Sequence, residues 1–479
     1  MKKKNVLIIA LLFVAVGMLT GCDFTAFADQ TEEEPIQATE PVTEAVKQCK
    51  LQIQSYDRQN LTDEVNYTVE SVSKNGEAAV IAGLNTTNGL AHIDLVAGEY
   101  RVSADNGDFR EDFTIAEDEE SKVIEVENNK MYRVLSEANG VCIVGDSITV
   151  GSVSGGYGWY EGLIDRFPNI KAVDVAATGG QTSASIFDNA TDVQAISNST
   201  ADTYIIALGI NDVVFRGKKG TSTTFTAAEY ITKLEDLVEY INAKDTEKVN
   251  KFVFVAPFEY VNKKSYQLTK YIEQENTHQE YTIALSNWCE MNGYAFVAPM
   301  NYVKNTLETV DNPSEYIVDD AHPAYPLGTQ LYSEAVYESS VVSMNGTLKI
   351  SQVFYNEAKR NSKAPNYKAY PVDYQQVSVK SDVTDKSRFT IKDYSTGKFV
   401  ALKENSKGEL EPEELSTVPH YYYPDENGEI KINNLPKGGY IINFKDNSLG
   451  YTSYLDTRIV YVNGGAIATN AYIHMKHKK

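Results

Sequence analysis

The feature that most constrains the fold is a short apolar run that ends in a glycine turn. Residues 141–144 (VCIV) are all apolar and are followed at once by Gly145, Asp146 and Ser147. An apolar run of this length, bounded by a turn, predicts a buried strand. The turn would then place the Ser147 hydroxyl at the carboxyl edge of a parallel sheet, where open α/β sheets hold their active sites.

Strand-like and helix-like segments alternate between residues 131 and 345. The predicted strands are short and rich in β-branched or aromatic residues, and the segments between the later ones are amphipathic. These strands are 172–175, 203–208, 251–256 and 294–298, and the helices are about 226–244 and 266–292. Such alternation predicts a parallel sheet covered on both faces. We therefore expect residues 131–345 to form a three-layer α/β/α domain.

Two stretches on either side of this domain repeat one pattern. Each has Asn-Gly, an alternating strand, a glycine turn, a tyrosine and a second strand, beginning at Asn88 and at Asn427. Asn-Gly is a hairpin signal, and a repeat of this kind predicts two copies of one small all-β sandwich. We assign these copies to residues 49–130 and 381–479, with 346–380 as a linker.

The second copy resembles the prealbumin-like modules of bacterial surface proteins, the collagen-adhesin B-type family. Its segment 425–440 (DENGEIKINNLPKGGY) is similar to the D-x-x-G and L-P-x-G-x-Y signature of that family. The first copy has Leu95-Val96 in place of Leu-Pro. The resemblance implies spacer modules, and removal of residues 381–479 is expected to leave activity on a small ester intact.

The N-terminus indicates export. Lys2, Lys3 and Lys4 precede an apolar stretch at 6–19, which is too short for a comfortable membrane span. Residues 19–22 (LTGC) resemble the bacterial lipobox, which implies a signal peptide at 1–21 and lipidation of Cys22. The protein would then be held on the outer face of the cytoplasmic membrane. The alternative is cleavage after Ala28 and secretion. Residues 22–48 are rich in Thr, Glu, Gln and Pro and predict a flexible stalk.

Composition narrows the set of partners. The chain has 479 residues and a formal net charge of −22, which argues against nucleic acid or an anionic lipid surface as a partner. A lipid anchor would be the chain's contact with the membrane. The remaining cysteines, Cys49, Cys142 and Cys289, form no disulfide framework, and no cluster has zinc spacing. We expect neither a metal nor an organic cofactor.

Polar motifs follow several of the predicted strands. Ser147 follows the first, a Gly179-Gly180 turn the second, Asn211 the third, and the pair Asp319 and His322 precedes the last helix. Residues at i and i+3 share a face over one helical turn, so Asp319 can hold Nδ1 of His322 and leave Nε2 facing Ser147.

This set of motifs is similar to the four sequence blocks of the SGNH (GDSL) hydrolase family. The resemblance covers under half of the chain. It implies that Ser147 is the nucleophile, that His322 is the general base and that Asp319 orients it. The oxyanion would be bound by the N–H groups of Ser147 and Gly180 and by the amide of Asn211. Gly179 is a rival to Gly180, because the Asn that often precedes this turn is absent here.

Two aromatic residues follow the nucleophile closely. Trp159 and Tyr160 could stack on a sugar ring beside Ser147, or they could pack the first helix against the sheet.

The resemblance, taken with the export signals, implies an exported serine esterase that removes O-acetyl groups from a carbohydrate. A polysaccharide O-acetyltransferase would use the same residues, with a sugar hydroxyl in place of water as the acyl acceptor. The alternative from another class is an adhesion or scaffold protein whose middle domain is inactive.

Overall fold

The computed structural model describes residues 47–216, 218, 222–244, 247–261, 272–357, 374–377, 388–445, 451–453 and 455–477. The predicted signal peptide, the lipidation site Cys22 and the stalk up to residue 46 lie outside these residues. From Lys47 onward the chain forms one compact unit. Within the described part of it, no helix has both the length and the apolar character needed to cross a membrane.

A five-stranded parallel sheet lies at the centre of the described chain. Its strands are β9 (Gly140–Gly145), β10 (Ala172–Ala177), β11 (Thr203–Ala207), β12 (Lys251–Val255) and β13 (Ala295–Val297). All six residues of β9 are buried, as expected for a strand covered on both faces. The spatial order is β10-β9-β11-β12-β13. After β9 the chain first adds β10 on one side and then adds β11, β12 and β13 on the other, so the order in which strands are added reverses at β9. Ligands of open α/β sheets bind at such a reversal, beyond the carboxyl ends of the strands.

Helices cover both faces of this sheet. They are α1 (Lys130–Ser136), α2 (Tyr160–Ile164), α3 (Ala190–Asn198), α4 (Ile210–Val214), α5 (Ala227–Asn242), α6 (Ile272–Asn292), α7 (Met300–Thr309) and α8 (Leu327–Glu338). One buried cluster joins the sheet to α1, α2, α7 and α8, and a second joins it to α3, α5 and α6. The predicted three-layer α/β/α fold is therefore confirmed. The start of α5 is fixed by a capping box between Thr226 and Glu229.

The segment before this domain is a β-sandwich. Its strands are β1 (Cys49–Asp57), β2 (Asn60–Leu61), β3 (Tyr67–Val72), β4 (Ala78–Leu84), β5 (Leu90–Leu95), β6 (Gly98–Ala104), β7 (Arg110–Ile115) and β8 (Ser121–Glu127). They form two sheets, one with β1, β2, β5 and β8 and the other with β3, β4, β6 and β7. Alternate residues of β1 are buried against residues of the second sheet, such as Val69 and Val102.

The C-terminal segment is also all-β. Its strands are β14 (Asn345–Glu357), β15 (Tyr374–Val377), β16 (Arg388–Asp393), β17 (Phe399–Glu404), β18 (Leu410–Ser416), β19 (Glu429–Pro436), β20 (Gly438–Lys445), β21 (Tyr451–Ser453), β22 (Thr457–Val462) and β23 (Thr469–His477). They form a ten-stranded sheet around one apolar cluster. The two β segments confirm that all-β sheets flank the α/β domain.

The assignment of residues 346–380 to a linker is wrong for the first part of this range, which belongs to strand β14 of the C-terminal module. Strand β14 pairs antiparallel with β19 and parallel with β23, and it places Leu348 and Ile350 in the core of the C-terminal sheet. The alternating apolar residues of β14 have the period of a half-buried strand. The boundary of the C-terminal module therefore lies near Asn345, directly after α8 and its short exit turn.

The two β modules share details of strand pairing and hydrogen bonding. In each, the first strand runs parallel to the last, β1 with β8 and β14 with β23. In each, a tyrosine hydroxyl donates to the main-chain carbonyl four residues earlier: Tyr100 to Val96 at 2.8 Å and Tyr440 to Pro436 at 2.7 Å. The Asn-Gly turns differ: Asn88 and Gly89 both have positive φ, 52° and 73°, as a two-residue type I′ hairpin requires, whereas at Asn427-Gly428 the glycine has a φ of 78° and the asparagine has no positive φ.

The edge strand β22 packs against helix α6. Asn276 donates to the carbonyl of Thr457 at 2.9 Å and accepts from the N–H of Ile459 at 2.9 Å. Gln279 accepts from the N–H of Tyr461 at 2.7 Å. These two side-chain amides take the place of a further strand, because an unpaired edge otherwise leaves backbone groups without partners.

Candidate active site

Ser147 and His322 meet at the carboxyl edge of the central sheet. Ser147 lies two residues after β9, and His322 lies in the loop before α8. With Nδ1 protonated, the ring of His322 donates to Asp319 Oδ2 at 2.9 Å and lies 3.1 Å from Oδ1. Nε2 is then the acceptor of the ring, and the hydroxyl of Ser147 donates to it at 2.8 Å. A hydroxyl, an imidazole and a carboxylate are thus in line.

The loop that carries Asp319 is not helical, in contrast to the expectation from the i, i+3 spacing. Asp319 Oδ1 accepts from the N–H groups of Ala321 and His322 at 2.7 and 2.8 Å. The short loop is closed by the N–H of Val318, which donates to the carbonyl of His322 at 2.9 Å. An aspartate that bonds to the backbone ahead of it forms a turn of its own, which explains why the spacing works without a helix.

The same hydrogen bonds set the charge of Asp319. Burial alone would raise the pKa of this carboxyl, but the N–H groups of His322 and Ala321 and the His322 ring together outweigh burial and lower the pKa. Asp319 therefore stays ionised at neutral pH and can stabilise a positive charge on the imidazole.

The glycine turn after β10 packs directly beside the nucleophile. The N–H of Gln181 donates to the carbonyl of Thr178 at 3.1 Å, and Gly180 has a φ of +81°, which favours glycine at the third position of a type II turn. A Cβ on Gly179 would lie 3.9 Å from Cβ of Ser147. Among the described residues, the N–H groups of Ser147, Gly179 and Gly180 donate to no acceptor. Both glycines remain candidate oxyanion donors.

Asn211 lies in the first turn of α4, next to the same turn. Its amide donates to the carbonyl of Gln181 at 2.9 Å and lies 3.5 Å from Asp146 Oδ2. One N–H of the amide is therefore engaged with the glycine turn. The other is in a contact at the weak limit of hydrogen bonding.

Two buried carboxyl groups lie behind the nucleophile, and the sequence reasoning gave them no role. Asp146 is 1% exposed and accepts from the N–H of Ile148 at 3.0 Å. Burial and, to a smaller extent, the charge of Asp212 together raise its pKa to about 7, although the N–H groups of Ile148 and Thr149 act to lower it. Asp212 is fully buried and accepts from the N–H and the hydroxyl of Ser183, both at 2.8 Å, while burial raises its pKa as well. The sequence did offer a signal for these two carboxyl groups: Asp146 directly precedes Ser147, and Asp212 directly follows Asn211.

The expectation that Trp159 contacts a substrate is wrong. Its side chain is 0% exposed, its Nε1 donates to Thr149 Oγ1 at 3.2 Å, and its ring meets Phe258 edge-on at 5.6 Å. A Cβ on Gly158 would lie 2.3 Å from the Thr149 carbonyl, so the chain passes close to Thr149 there and turns the indole inward. The alternative, packing of the first helix, is confirmed for Trp159. Tyr160 is half-buried against the same core.

No metal-binding group was found in the part of the chain that the structure describes: no three or more His, Cys, Asp or Glu side chains there could hold an ion. Cys49, Cys142 and Cys289 are free and buried.

Comparison with known proteins identifies the middle of the chain. No curated protein sequence matches it. Similar solved structures include a catalytic mutant of the acetylxylan esterase Axe2 from Geobacillus stearothermophilus (20% identity, 41% of this chain and 91% of that chain, TM-score 0.33). A protein from Parabacteroides merdae named as a GDSL-like lipase has 17% identity over 43% of this chain and 96% of that chain, with a TM-score of 0.33. The minor pilin GBS52 from Streptococcus agalactiae has 12% identity over 28% and 46%, with a TM-score of 0.20. Residues 143–325, which include Ser147, Asn211 and His322, match the GDSL-like lipase/acylhydrolase family, and this domain of the chain belongs to it.

Proposed function

We propose that this domain is a serine esterase in which Ser147, His322 and Asp319 carry out acyl transfer. The observation that carries the proposal is the position of the imidazole, 2.8 Å from the Ser147 hydroxyl on one side and 2.9 Å from the Asp319 carboxylate on the other. A nucleophile within reach of a base that is itself oriented by a third group is the arrangement that activates a serine.

The reaction proceeds in two steps. Ser147 Oγ attacks the ester carbonyl while His322 Nε2 takes the hydroxyl proton, and the ionised Asp319 stabilises the imidazolium. The imidazolium then gives its proton to the departing alcohol, which leaves an acyl group on Ser147. Water, activated by the same imidazole, releases the acid and restores the serine.

The negative oxygen that forms in each step needs donors already in place. The N–H of Ser147 and that of Gly179 or Gly180 meet this need, since they have no acceptor among the described residues. The second N–H of Asn211 supplies a third donor, because its 3.5 Å contact with Asp146 is weak. Each such donor stabilises the transition state by roughly 3 kcal/mol in known enzymes.

For the substrate, we propose an O-acetyl group on a carbohydrate, with hydrolysis preferred over transfer to a second sugar. The exposure of the site supports an ester on a bulky polymer: the side chains of His322 and Asp319 are 22% and 51% exposed. We also propose that the protein is exported and lipidated at Cys22, as Lys2–Lys4, the apolar stretch 6–19 and the LTGC motif predict.

The test compares p-nitrophenyl acetate, butyrate and octanoate with wild type and Ser147→Ala. We expect turnover that favours acetate and that falls by roughly 10⁴-fold or more in the variant, with an unchanged unfolding midpoint. Turnover retained by Ser147→Ala would exclude the assigned nucleophile. A rate that depends on added sugar acceptor, with little release of free acetate, would show the acetyltransferase instead.

A further inference from the structure

A stacked pair of exposed tyrosines stands on the two loops that carry the nucleophile and the base. The rings of Tyr157 and Tyr325 lie 4.0 Å apart, centroid to centroid, with an interplanar angle of 18°. The two residues are 44% and 54% exposed. Each ring covers one face of the other, so exposures near one half indicate that the outer faces stay open to solvent. Among the described residues, neither hydroxyl has a hydrogen-bond partner.

The loop that carries the first ring is hydrogen-bonded to the backbone of Ser147. The N–H of Ser152 donates to the carbonyl of Ser147 at 3.0 Å, and the N–H of Gly156 donates to the carbonyl of Gly151 at 3.0 Å. Gly151 has a φ of +66°, and a Cβ there would lie 2.4 Å from the carbonyl oxygen of Tyr157. The loop is therefore folded tightly back on itself, which fixes the main chain of Tyr157 relative to that of the nucleophile.

The second ring is fixed relative to the base. Tyr325 follows His322 by three residues, and the buried hydroxyl of Ser154 donates to the carbonyl of Pro323 at 2.6 Å. This bond joins the loop after the nucleophile to the loop of the base. The two rings are thus carried together on the pair of loops that bring Ser147 and His322 to 2.8 Å.

We propose that the Tyr157–Tyr325 pair is a binding subsite for a pyranose ring of the alcohol part of the substrate. An open aromatic face on the loops that carry the nucleophile and the base can pack against the flat, C–H-rich face of a sugar, while the phenol groups can bond to its hydroxyls. This subsite takes the place of the stacking that Trp159 cannot provide. The inference rests on the proposed esterase function and specifies which part of the substrate the site recognises.

The test compares two acetate esters that differ in their alcohol: penta-O-acetylglucose and ethyl acetate. Both carry the same acyl group, and ethyl acetate has no ring to stack. For Tyr157→Ala and Tyr325→Ala, we expect kcat/KM for the sugar ester to fall roughly 3- to 10-fold more than kcat/KM for ethyl acetate, mainly through KM. Tyr157→Phe and Tyr325→Phe keep the ring and should restore most of the loss. Tyr423→Ala, at a 58% exposed tyrosine of the C-terminal module, is the matched control.

The outcomes separate the two proposals. If wild type hydrolyses neither ester, the esterase assignment and the subsite fail together. If wild type hydrolyses both and the alanine variants leave the ratio of the two kcat/KM values unchanged, the subsite alone is overturned. A loss confined to p-nitrophenyl octanoate would also overturn it, because the rings would then bind an apolar acyl chain.

Discussion

The Nε2 atom of His322 lies 2.8 Å from Oγ of Ser147, although 175 residues separate them in the chain. The contact arises because Ser147 leaves β9 at the point where the sheet order reverses, and the loop before α8 returns to that same edge.

Replacing Asp319 tests whether the imidazole depends on its carboxylate. In Asp319→Asn, the carboxylate that accepts from the ring Nδ1 and from two backbone N–H groups is replaced by a neutral amide. The imidazole is then no longer held in the tautomer with Nδ1 protonated, and its positive charge is no longer stabilised. We expect kcat/KM on p-nitrophenyl acetate to fall by roughly 10²- to 10⁴-fold. Steady-state kinetics across pH 6–9 measures this loss.

Asp320→Asn is the matched control in the same loop. The main-chain carbonyl of Asp320 accepts from the N–H of Val261 at 2.7 Å. The substitution leaves this main-chain hydrogen bond in place. The loss of activity should therefore be far smaller. A larger loss for Asp320→Asn than for Asp319→Asn would move the orienting role to Asp320.

Trp159 is predicted to matter for stability and not for substrate choice. Trp159→Ala leaves a cavity beside Phe258 and removes a buried partner of Thr149, so the free energy of unfolding should fall by about 3–5 kcal/mol. Denaturant unfolding measures this change, with Trp288→Ala as a second buried indole for comparison. Unchanged stability together with a selective loss on sugar esters would return Trp159 to the substrate site.

The contrast between Ser147 and Trp159 shows how far the sequence leads. Motif order and placement after strands were enough to bring Ser147, the glycine turn, Asn211 and His322 to one edge, since parallel strands end at the same edge. The direction of each aromatic side chain in residues 151–160 was not predictable. It depends on the positive φ values of Gly151, Gly155 and Gly156, which fold the loop back, and these follow from tertiary contacts.

Strand β14 shows a second limit. Its residues alternate in the sequence as those of a strand do, but its partners β19 and β23 lie far along the chain, β23 being the last strand of the module. Only these pairings make Leu348 and Ile350 core residues. Long-range parallel pairing leaves no local turn signal to read. The module boundary was therefore placed too late in the chain.

The contact of α6 with β22 predicts that the C-terminal module stabilises the α/β domain. Asn276→Ala leaves the carbonyl of Thr457 and the N–H of Ile459 without their partners, at a cost of about 1–3 kcal/mol in the free energy of unfolding. Thr277→Ala, on the same helix, is the control. Loss of the whole module, residues 345–479, should lower the unfolding midpoint of the remaining domain, in contrast to the expectation of a simple spacer. Equal stability of wild type and Asn276→Ala would show that the edge contact contributes little.

The buried carboxyl of Asp146 predicts a specific dependence of stability on pH. Its pKa is raised to about 7 in the folded protein, first by burial and then by Asp212, against about 3.9 in an unfolded chain. Between these values the folded state binds more protons, so the free energy of unfolding falls as pH rises from about 4 through 7. Asp146→Asn cannot titrate and should show a flatter profile over this range in denaturant unfolding.

Asp202 provides a control of opposite sign for that experiment. Burial would raise its pKa, but the N–H and side-chain amide of Asn139 and the hydroxyl of Thr203 outweigh burial and lower it. Its contribution to stability is therefore present at higher pH and is lost as pH falls through the lowered value. Asp202→Asn should reduce stability near neutral pH and leave the slope between pH 4 and 7 close to that of wild type. Parallel profiles for wild type and Asp146→Asn would show that Asp146 is ionised throughout, and that the donors around it outweigh both its burial and the nearby charge of Asp212.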